Sequence, residues 1–212
     1  MGFSHTHLSG TGIGDMLDFL VVPRTGEVRL HPGSPEAPET GYRSRFDPAD
    51  EVASPGYYRV LLKDTGIRAE LTATERAGLH RYDFPAGVSG HLLLDLCHGY
   101  QDNDATPTRI SDAQLRIVDA GTLVGGRRVY QWAKGRYLYF AMRLSRPFAR
   151  AQLYDDDRPL PADAGSVDGT RLKAALHFAD AGGAPLLVKV AISAVSAENA
   201  LANLDAELPD FD

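Results

Sequence analysis

Alternation of apolar and polar residues is the feature that most constrains how this chain folds. In "RYLYFAMRLS", Leu138, Phe140 and Met142 share one side of an extended backbone, because successive side chains of a strand point to opposite faces. The same two-residue period recurs in "YYRVLLKD", "GIRAELTATE", "RLKAALHF" and "PLLVKVAIS". Short strands that each bury one face predict an all-β, antiparallel β-sandwich.

Turn residues separate these strands. Glycines at Asp64–Gly66, Gly125–Gly126 and Ala181–Gly183 predict hairpin turns with positive φ. The segment "HPGSPEAPETG", from His31 to Gly41, is predicted to be an exposed loop. The pattern changes in "SAENALANLDAEL", where leucines at three- and four-residue spacing predict a short C-terminal helix with Ser196 as its N-cap.

Composition excludes several classes of partner. The chain has 22 Lys and Arg against 28 Asp and Glu, a formal net charge of -6. It lacks the clustered positive charge that phosphate surfaces require, so we expect no nucleic-acid and no membrane partner. No run approaches the roughly 18 apolar residues of a membrane span, and we expect no signal peptide on this chain. The single cysteine, Cys97, excludes an internal disulfide, and its apolar neighbours indicate an unreactive thiol.

The stretch "GFSHTHLSGTGIGD", Gly2–Asp15, is rich in groups that could bind a ligand. His5 and His7 are spaced as two ligands of one zinc ion, but no third ligand accompanies them, so we expect no metal site. The spacing of "GTGIG" fits neither a dinucleotide loop nor a phosphate loop, and an apolar strand, not a helix, follows it. Two interpretations remain open: a loop that hydrogen-bonds a sugar, and a glycine-rich turn packed against another domain.

Carboxylates and aromatic residues form no recognisable site in the sequence. Asp15 and Asp18 are too close in sequence to flank a glycosidic bond from separate elements. The acidic segments "QDND" and "YDDD" do not match a calcium-binding EF-hand loop and are predicted to be solvated turns. Trp132 and its neighbouring tyrosines form either a sugar-stacking platform or part of the core, and the alternating positions favour the core.

Several long segments resemble one known family. "GFSHTHLSGTGIGD" with "DFLVVP", then "EVASPGYYRVLLKDTGIRAELTATERAGLHRYDFP", "YFAMRLSRPF", "KVAISAVSAENALANLDAE" and "PDFD", follow one another in the order typical of that family. They resemble the N-terminal domain of family 92 glycoside hydrolases, the calcium-dependent α-mannosidases. The resemblance extends over nearly the whole chain.

The resemblance implies a particular domain organisation. It implies a supersandwich-like domain, as in galactose-mutarotase-like domains, that packs against a C-terminal (α/α)6 catalytic barrel. Residues 1–195 would form this sandwich without its first β segment, and residues 196–212 would begin a helical linker toward the barrel. We therefore expect the chain to be a fragment. The family also implies a secreted or periplasmic enzyme.

The resemblance also implies an activity. Family members remove terminal α-linked mannose, most often α-1,2-linked, from mannose-containing glycans with inversion of configuration. Their catalytic carboxylates and most of their calcium contacts lie in the barrel. We therefore expect this domain to be non-catalytic, inactive alone, and dependent on the barrel of the same protein for catalysis and calcium. The alternative function is a free-standing carbohydrate-binding β-sandwich without catalysis.

For the loop Gly2–Asp18, the resemblance implies a place in the wall of the interdomain active site. Leu17 stands where members often have glycine, which makes the backbone at this position a point to test. The residues that match the family pattern best are His5, Thr6, His7, Ser9, Thr11, Gly12 and Asp15.

Overall fold

The computed structural model describes residues 2–8, 10, 15–99, 108–179 and 181–211. These residues form two antiparallel β-sheets and one short C-terminal α-helix, so the predicted all-β sandwich is confirmed. Their strands are β1 (Leu20–Thr25), β2 (Val52–Ser54), β3 (Tyr57–Leu62), β4 (Ile67–Ala73), β5 (Ala77–Asp83), β6 (Gly90–Asp95), β7 (Arg109–Asp119), β8 (Thr122–Tyr130), β9 (Lys134–Leu144), β10 (Arg150–Asp155), β11 (Arg158–Pro159), β12 (Ser166–Gly169), β13 (Leu172–Phe178) and β14 (Leu186–Ser193). The helices are the 3-10 turns Pro38–Thr40 and Pro48–Asp50 and the helix α1, Ala197–Glu207. No helix in these ranges is long and apolar enough to cross a membrane.

The two sheets differ in size and enclose one apolar core. The smaller sheet has the order β1-β6-β13-β10-β11, and the larger has the order β12-β7-β8-β9-β14-β5-β4-β3-β2. Phe140 of β9 and Val188 of β14, from the larger sheet, are buried in the same cluster as Leu94 of β6 and Leu176 of β13, from the smaller sheet. The core therefore lies between the inward faces of the two sheets.

Burial follows the predicted two-residue period in β4, whereas β6 is buried at every residue and β13 at all but one. Ile67 and Ala69 of β4 are fully buried, whereas Arg68 between them is exposed. All five segments with this period are strands, namely β3, β4, β9, β13 and β14. The pattern identified them because burial of one sheet face imposes it directly on the sequence.

The hairpin turn predicted at Gly125–Gly126 is wrong, because both glycines lie inside β8. A Cβ atom on Gly125 would lie 2.4 Å from the Gln114 carbonyl oxygen, and one on Gly126 would lie 2.5 Å from the Tyr139 ring. The glycines thus allow neighbouring groups to approach the strand closely, and such close approach is a known reason for glycine inside a strand.

The predicted turn at Asp64–Gly66 and the predicted loop are where the sequence indicated. Asp64–Gly66 connects the paired strands β3 and β4, and Gly66 has the expected positive φ of 66°. The hairpin turn predicted at Ala181–Gly183 is wrong, because this segment connects β13 of the smaller sheet to β14 of the larger sheet, and Gly182 lacks a positive φ and approaches the backbone of Pro85. Most of the His31–Gly41 loop is exposed.

Helix α1 packs on the outer side of the larger sheet. The Ser196 side chain accepts a hydrogen bond from the Asn199 backbone N–H at 3.0 Å, which confirms the predicted N-cap. Leu204 is fully buried in an apolar cluster that is separate from the main core. At the other end, the buried Lys189 ammonium donates to the Leu208 carbonyl at 2.6 Å, so a cation caps the helix C-terminus.

Candidate functional site

The N-terminal segment runs antiparallel beside the free edge of β1. Phe3 and Val21 exchange two backbone hydrogen bonds of 2.9 Å, and the His5 N–H donates to the Asp18 carbonyl at 2.9 Å. Because side chains alternate along an extended segment, His5 and His7 point away from Thr6. The predicted site residues are therefore divided between two sides of this segment.

His5 and His7 line a groove of about 790 Å³ at one end of the sandwich. The opposite walls come from β3, β4, β5 and β14 and include Tyr58 and Ile192. The His5 ring lies parallel to the His80 ring, with 5.0 Å between their centroids. The groove thus combines apolar walls with imidazole groups.

His5 is a neutral imidazole with one nitrogen unpartnered. Its Nδ1 lies 2.6 Å from the Phe19 carbonyl oxygen, which can only accept, so Nδ1 carries the hydrogen and Nε2 is an acceptor. Burial lowers the pKa of His5 to about 4, against a weaker opposing effect of this hydrogen bond. Nε2 is buried and has no hydrogen-bond partner in the structure. A buried acceptor without a donor favours a ligand that supplies a hydroxyl or N–H group.

His7 is exposed, unlike His5. Its Nε2 lies 3.2 Å from the Ser4 Oγ. His7 therefore lies where the groove meets solvent, and its contact with Ser4 leaves the imidazole accessible to a ligand.

Thr6 belongs to a buried ionic network on the other side of the segment. Its hydroxyl donates to Asp18 at 2.5 Å. The fully buried Asp18 carboxylate also accepts from Arg127, at 2.9 and 2.6 Å, and from Arg136, at 2.8 Å. Burial acts to raise the pKa of Asp18, but the two guanidinium groups hold it below its ordinary value. Thr6 is thus a support for the segment and not a group that faces the groove.

Asp15 connects the segment to the β8–β9 hairpin. Its buried carboxylate accepts from the Ala133 backbone N–H at 3.1 Å and from the Met16 N–H at 2.6 Å. The adjacent Trp132 is 66% exposed, and Tyr137 is 40% exposed. The interpretation of these aromatic residues as core is therefore wrong for Trp132, which lies in the turn between β8 and β9, and for Tyr137, which alternates with the buried Leu138.

The backbone between Asp15 and β1 adopts a conformation that favours glycine. Met16, Leu17 and Phe19 have φ angles of 73°, 61° and 53°. A left-handed conformation costs a non-glycine residue roughly 1–2 kcal/mol. The surrounding contacts, which include the Leu17 N–H to Thr6 carbonyl hydrogen bond of 3.0 Å, hold this strained backbone in place. Leu17, which stands where the family often has glycine, thus has a φ that glycine would adopt without strain.

The acidic turn "YDDD" and the Cys97 thiol are engaged in the fold. In the acidic turn "YDDD", Asp156 pairs with Arg171 and Asp157 with Lys173, as expected of a surface turn. Burial raises the pKa of the Cys97 thiol to about 12, as expected of a thiol among apolar neighbours. In the described ranges, no three His, Cys, Asp or Glu side chains are grouped so that they could hold a metal ion.

The structure brings together only part of the predicted site. His5 and His7 share the groove, whereas Thr6 and Asp15 hold the segment from its other side. Ser9, Thr11, Gly12 and the "QDND" segment lie outside the described residues. Sequence reasoning did not identify Arg127 as a buried residue of this network. In the local sequence, only its position in the alternating, inward-facing series of β8 indicates that its side chain is buried.

Comparison with known proteins identifies relatives over the whole chain. Residues 1–193 match the Glycosyl hydrolase family 92 N-terminal domain. The structure is similar to that of the family GH92 alpha-mannosidase BT3965 from Bacteroides thetaiotaomicron, with a TM-score of 0.90 and 36% identity over 100% of this chain and 29% of that one. It is also similar to the GH92 family glycosyl hydrolase ccman5, with a TM-score of 0.81 and 32% identity over 100% of this chain and 28% of that one.

A further relative comes from the fungus Arthroderma benhamiae. This protein, described as an uncharacterized secreted glycosidase, is 34% identical over 134 residues, which are 58% of this chain and 17% of that protein. The chain therefore spans less than a third of the length of each of these relatives.

Proposed function

Because the chain belongs to the glycosyl hydrolase family 92 N-terminal domains, we propose that it is the non-catalytic β-sandwich of an inverting exo-α-mannosidase. The complete protein would hydrolyse terminal α-1,2-linked mannose from mannose-containing glycans. The active site would form between this domain and a C-terminal catalytic barrel of the same protein. The relatives named alpha-mannosidase and secreted glycosidase support this activity and an exported enzyme.

The main observation in support of a substrate-binding role for this domain is the Nε2 of His5, which has no hydrogen-bond partner. A mannose hydroxyl can donate to this acceptor, whereas no described residue does so. His7 lies at the solvent side of the same groove and can bind a second hydroxyl. We therefore propose that His5 and His7 contribute to the wall of the interdomain pocket.

The catalytic carboxylates would come from the barrel. An inverting glycosidase needs an acid and a base roughly 6.5–9.5 Å apart with a water molecule between them. Asp18 is bound by two arginines and Asp15 by two backbone N–H groups. Asp95 accepts from the Tyr42 hydroxyl and the Cys97 N–H. These buried carboxylates hold the fold together, so none is available for acid or base chemistry.

Calcium would likewise be held mainly by the barrel. Calcium takes six to eight oxygen ligands, and the described residues of this chain do not offer such a set. In the complete enzyme, the metal would supply electrostatic stabilisation of substrate and transition state.

The proposal is tested by mannose release from α-1,2-linked mannobiose. We expect His5→Ala and His7→Ala in the complete enzyme to lower kcat/KM about ten- to hundredfold, which is the effect of losing a hydrogen bond to a substrate hydroxyl. His31→Ala is the matched control, because His31 is an exposed histidine in the loop before β2. Unchanged kcat/KM in both groove variants would refute the pocket-wall role.

Two further measurements test whether catalysis requires the barrel and calcium. The 212-residue chain alone should release no mannose, and the complete enzyme should lose activity with a calcium chelator. Activity of the chain alone would show that its own carboxylates are catalytic. Chelator-resistant activity would refute the role of calcium.

A further inference from the structure

A row of basic side chains crosses the outer face of the smaller sheet. Arg24 of β1, His91 of β6, His177 of β13 and Arg150 of β10 are successive partners in the strand register. Residues paired across antiparallel strands point to the same side. The next position on β13, Leu176, belongs to the core between the sheets, so the row faces outward.

A cleft of about 260 Å³ lies over this row. His91, His177 and Arg150 line it, and Gly26 and Gly90 form part of its rim. His91 is only 1% exposed, and its Nε2 is buried without a hydrogen-bond partner. The cleft is therefore lined by a residue whose buried nitrogen the described fold leaves unsatisfied, which is the usual mark of a missing ligand or water.

The contact between Arg150 and His177 fixes the state of one imidazole. The Arg150 Nη2 lies 3.1 Å from the His177 Nε2. Because a guanidinium can only donate, Nε2 accepts and the hydrogen of His177 is on Nδ1. The His91 and His177 rings are 5.6 Å apart. The cleft is thus lined by one guanidinium and two imidazoles, one of which has an unsatisfied nitrogen.

The charge of the row is not balanced in the described part of the chain. Arg150 has no salt bridge there, and the Asp64 carboxylate near Arg24 is already bound by Arg45. Burial, then His177 and Arg24, lower the pKa of His91 to about 4, while burial and Arg150 lower the pKa of His177. Among described groups, no carboxylate opposes these effects.

We propose that this cleft binds a small oxyanion, of the phosphate, sulfate or carboxylate class. Arg150 would form the charge-assisted hydrogen bonds to the anion, and His91 would donate from Nε2 once it takes up a proton. A metal cation is disfavoured, because the arginine beside the two imidazoles would repel it. The site lies on a different sheet face from the His5 groove and is independent of the mannosidase proposal.

The test is calorimetric titration of the 212-residue chain with inorganic phosphate, inorganic sulfate and acetate at constant ionic strength. We expect saturable binding. For sulfate, whose charge is constant between pH 7 and 5, binding should tighten as the pH falls through this range, because a bound anion favours the charged form of His91 and His177. Binding of phosphate and sulfate without acetate would identify a tetrahedral oxyanion, and binding of acetate alone would identify a carboxylate. No saturable binding of any of the three would overturn the proposal.

Substitutions test whether the anion binds at this row of basic side chains. Arg150→Gln should weaken binding about ten- to hundredfold, as expected for loss of a hydrogen bond to a charged group. Arg116→Gln is the matched control, since Arg116 is an exposed arginine on the larger sheet, and it should leave binding unchanged. His91→Phe, with His91→Gln as a second variant if the first fails to fold, should reduce the pH dependence, because only His177 would then take up a proton. Equal loss in the control, or an unchanged pH dependence in the His91 variant, would refute the assignment.

Discussion

Replacing Arg127 with methionine tests whether the ionic network holds the N-terminal segment to the sheet. The Arg127 side chain is fully buried and makes two hydrogen bonds to Asp18 and one of 2.6 Å to the Leu96 carbonyl. It also contacts the His98 carbonyl. Methionine fills much of the same volume without any donor, so the substitution isolates the polar contacts.

The expected loss of unfolding free energy depends on the polar groups that lose their partner when Arg127 is replaced. Breaking a buried ion pair by removing one partner costs roughly 3–5 kcal/mol, because a charge stays buried without compensation. Arg136 would still donate to Asp18 at 2.8 Å, which reduces the loss. Two carbonyl groups would lose their donor, at about 1 kcal/mol each. We expect Arg127→Met to lower the free energy of unfolding by about 4 kcal/mol, a large part of the roughly 5–15 kcal/mol typical of a domain.

The assay is urea unfolding of the 212-residue chain, followed by circular dichroism and extrapolated to water. Arg128→Met is the control, because the neighbouring Arg128 lies near the Tyr137 ring at 4.9 Å and should cost less than about 1 kcal/mol. The double variant Asp18→Asn/Arg127→Met should be no more stable than Arg127→Met alone, because Arg136 would then lose the carboxylate with which it pairs. A loss for Arg127→Met as small as that for Arg128→Met would refute the reasoning.

Three other substitutions have expected outcomes. His91 has its folded-state pKa lowered from 6.5 to about 4, so the unfolded chain binds its proton first and stability falls between pH 6.5 and 4. His91→Phe should remove on the order of 3 kcal/mol of that decrease, and parallel pH curves would contradict this. Ser196→Ala should cost about 1 kcal/mol in urea unfolding through loss of the helix cap, against no change for the exposed Ser166→Ala. Gly125→Ala should cost about 1–3 kcal/mol because its Cβ would lie 2.4 Å from a carbonyl oxygen, and a neutral effect would show that the strands separate easily.

Local patterns in the sequence determined five of the fourteen strands in the described ranges and the C-terminal helix. The two-residue period fixed β3, β4, β9, β13 and β14 because burial of one sheet face acts on every second residue. Ser196 marked the start of α1, since a helix cap acts within three residues of the chain. The resemblance of "GFSHTH" and its following segments to one family was also present in the sequence alone.

Only the tertiary structure decided which polar groups are engaged and which are left for a ligand. Gly125–Gly126 has the composition of a turn, and its place in β8 depends on neighbouring strands that approach it closely. Asp18 and Arg127 are separated by 109 residues, so no local pattern could pair them. His5 similarly meets His80 across the fold. These pairings depend on contacts between segments that are distant in sequence. The contacts pair the buried charges of Asp18 and Arg127, and they leave the Nε2 of His5 without a partner.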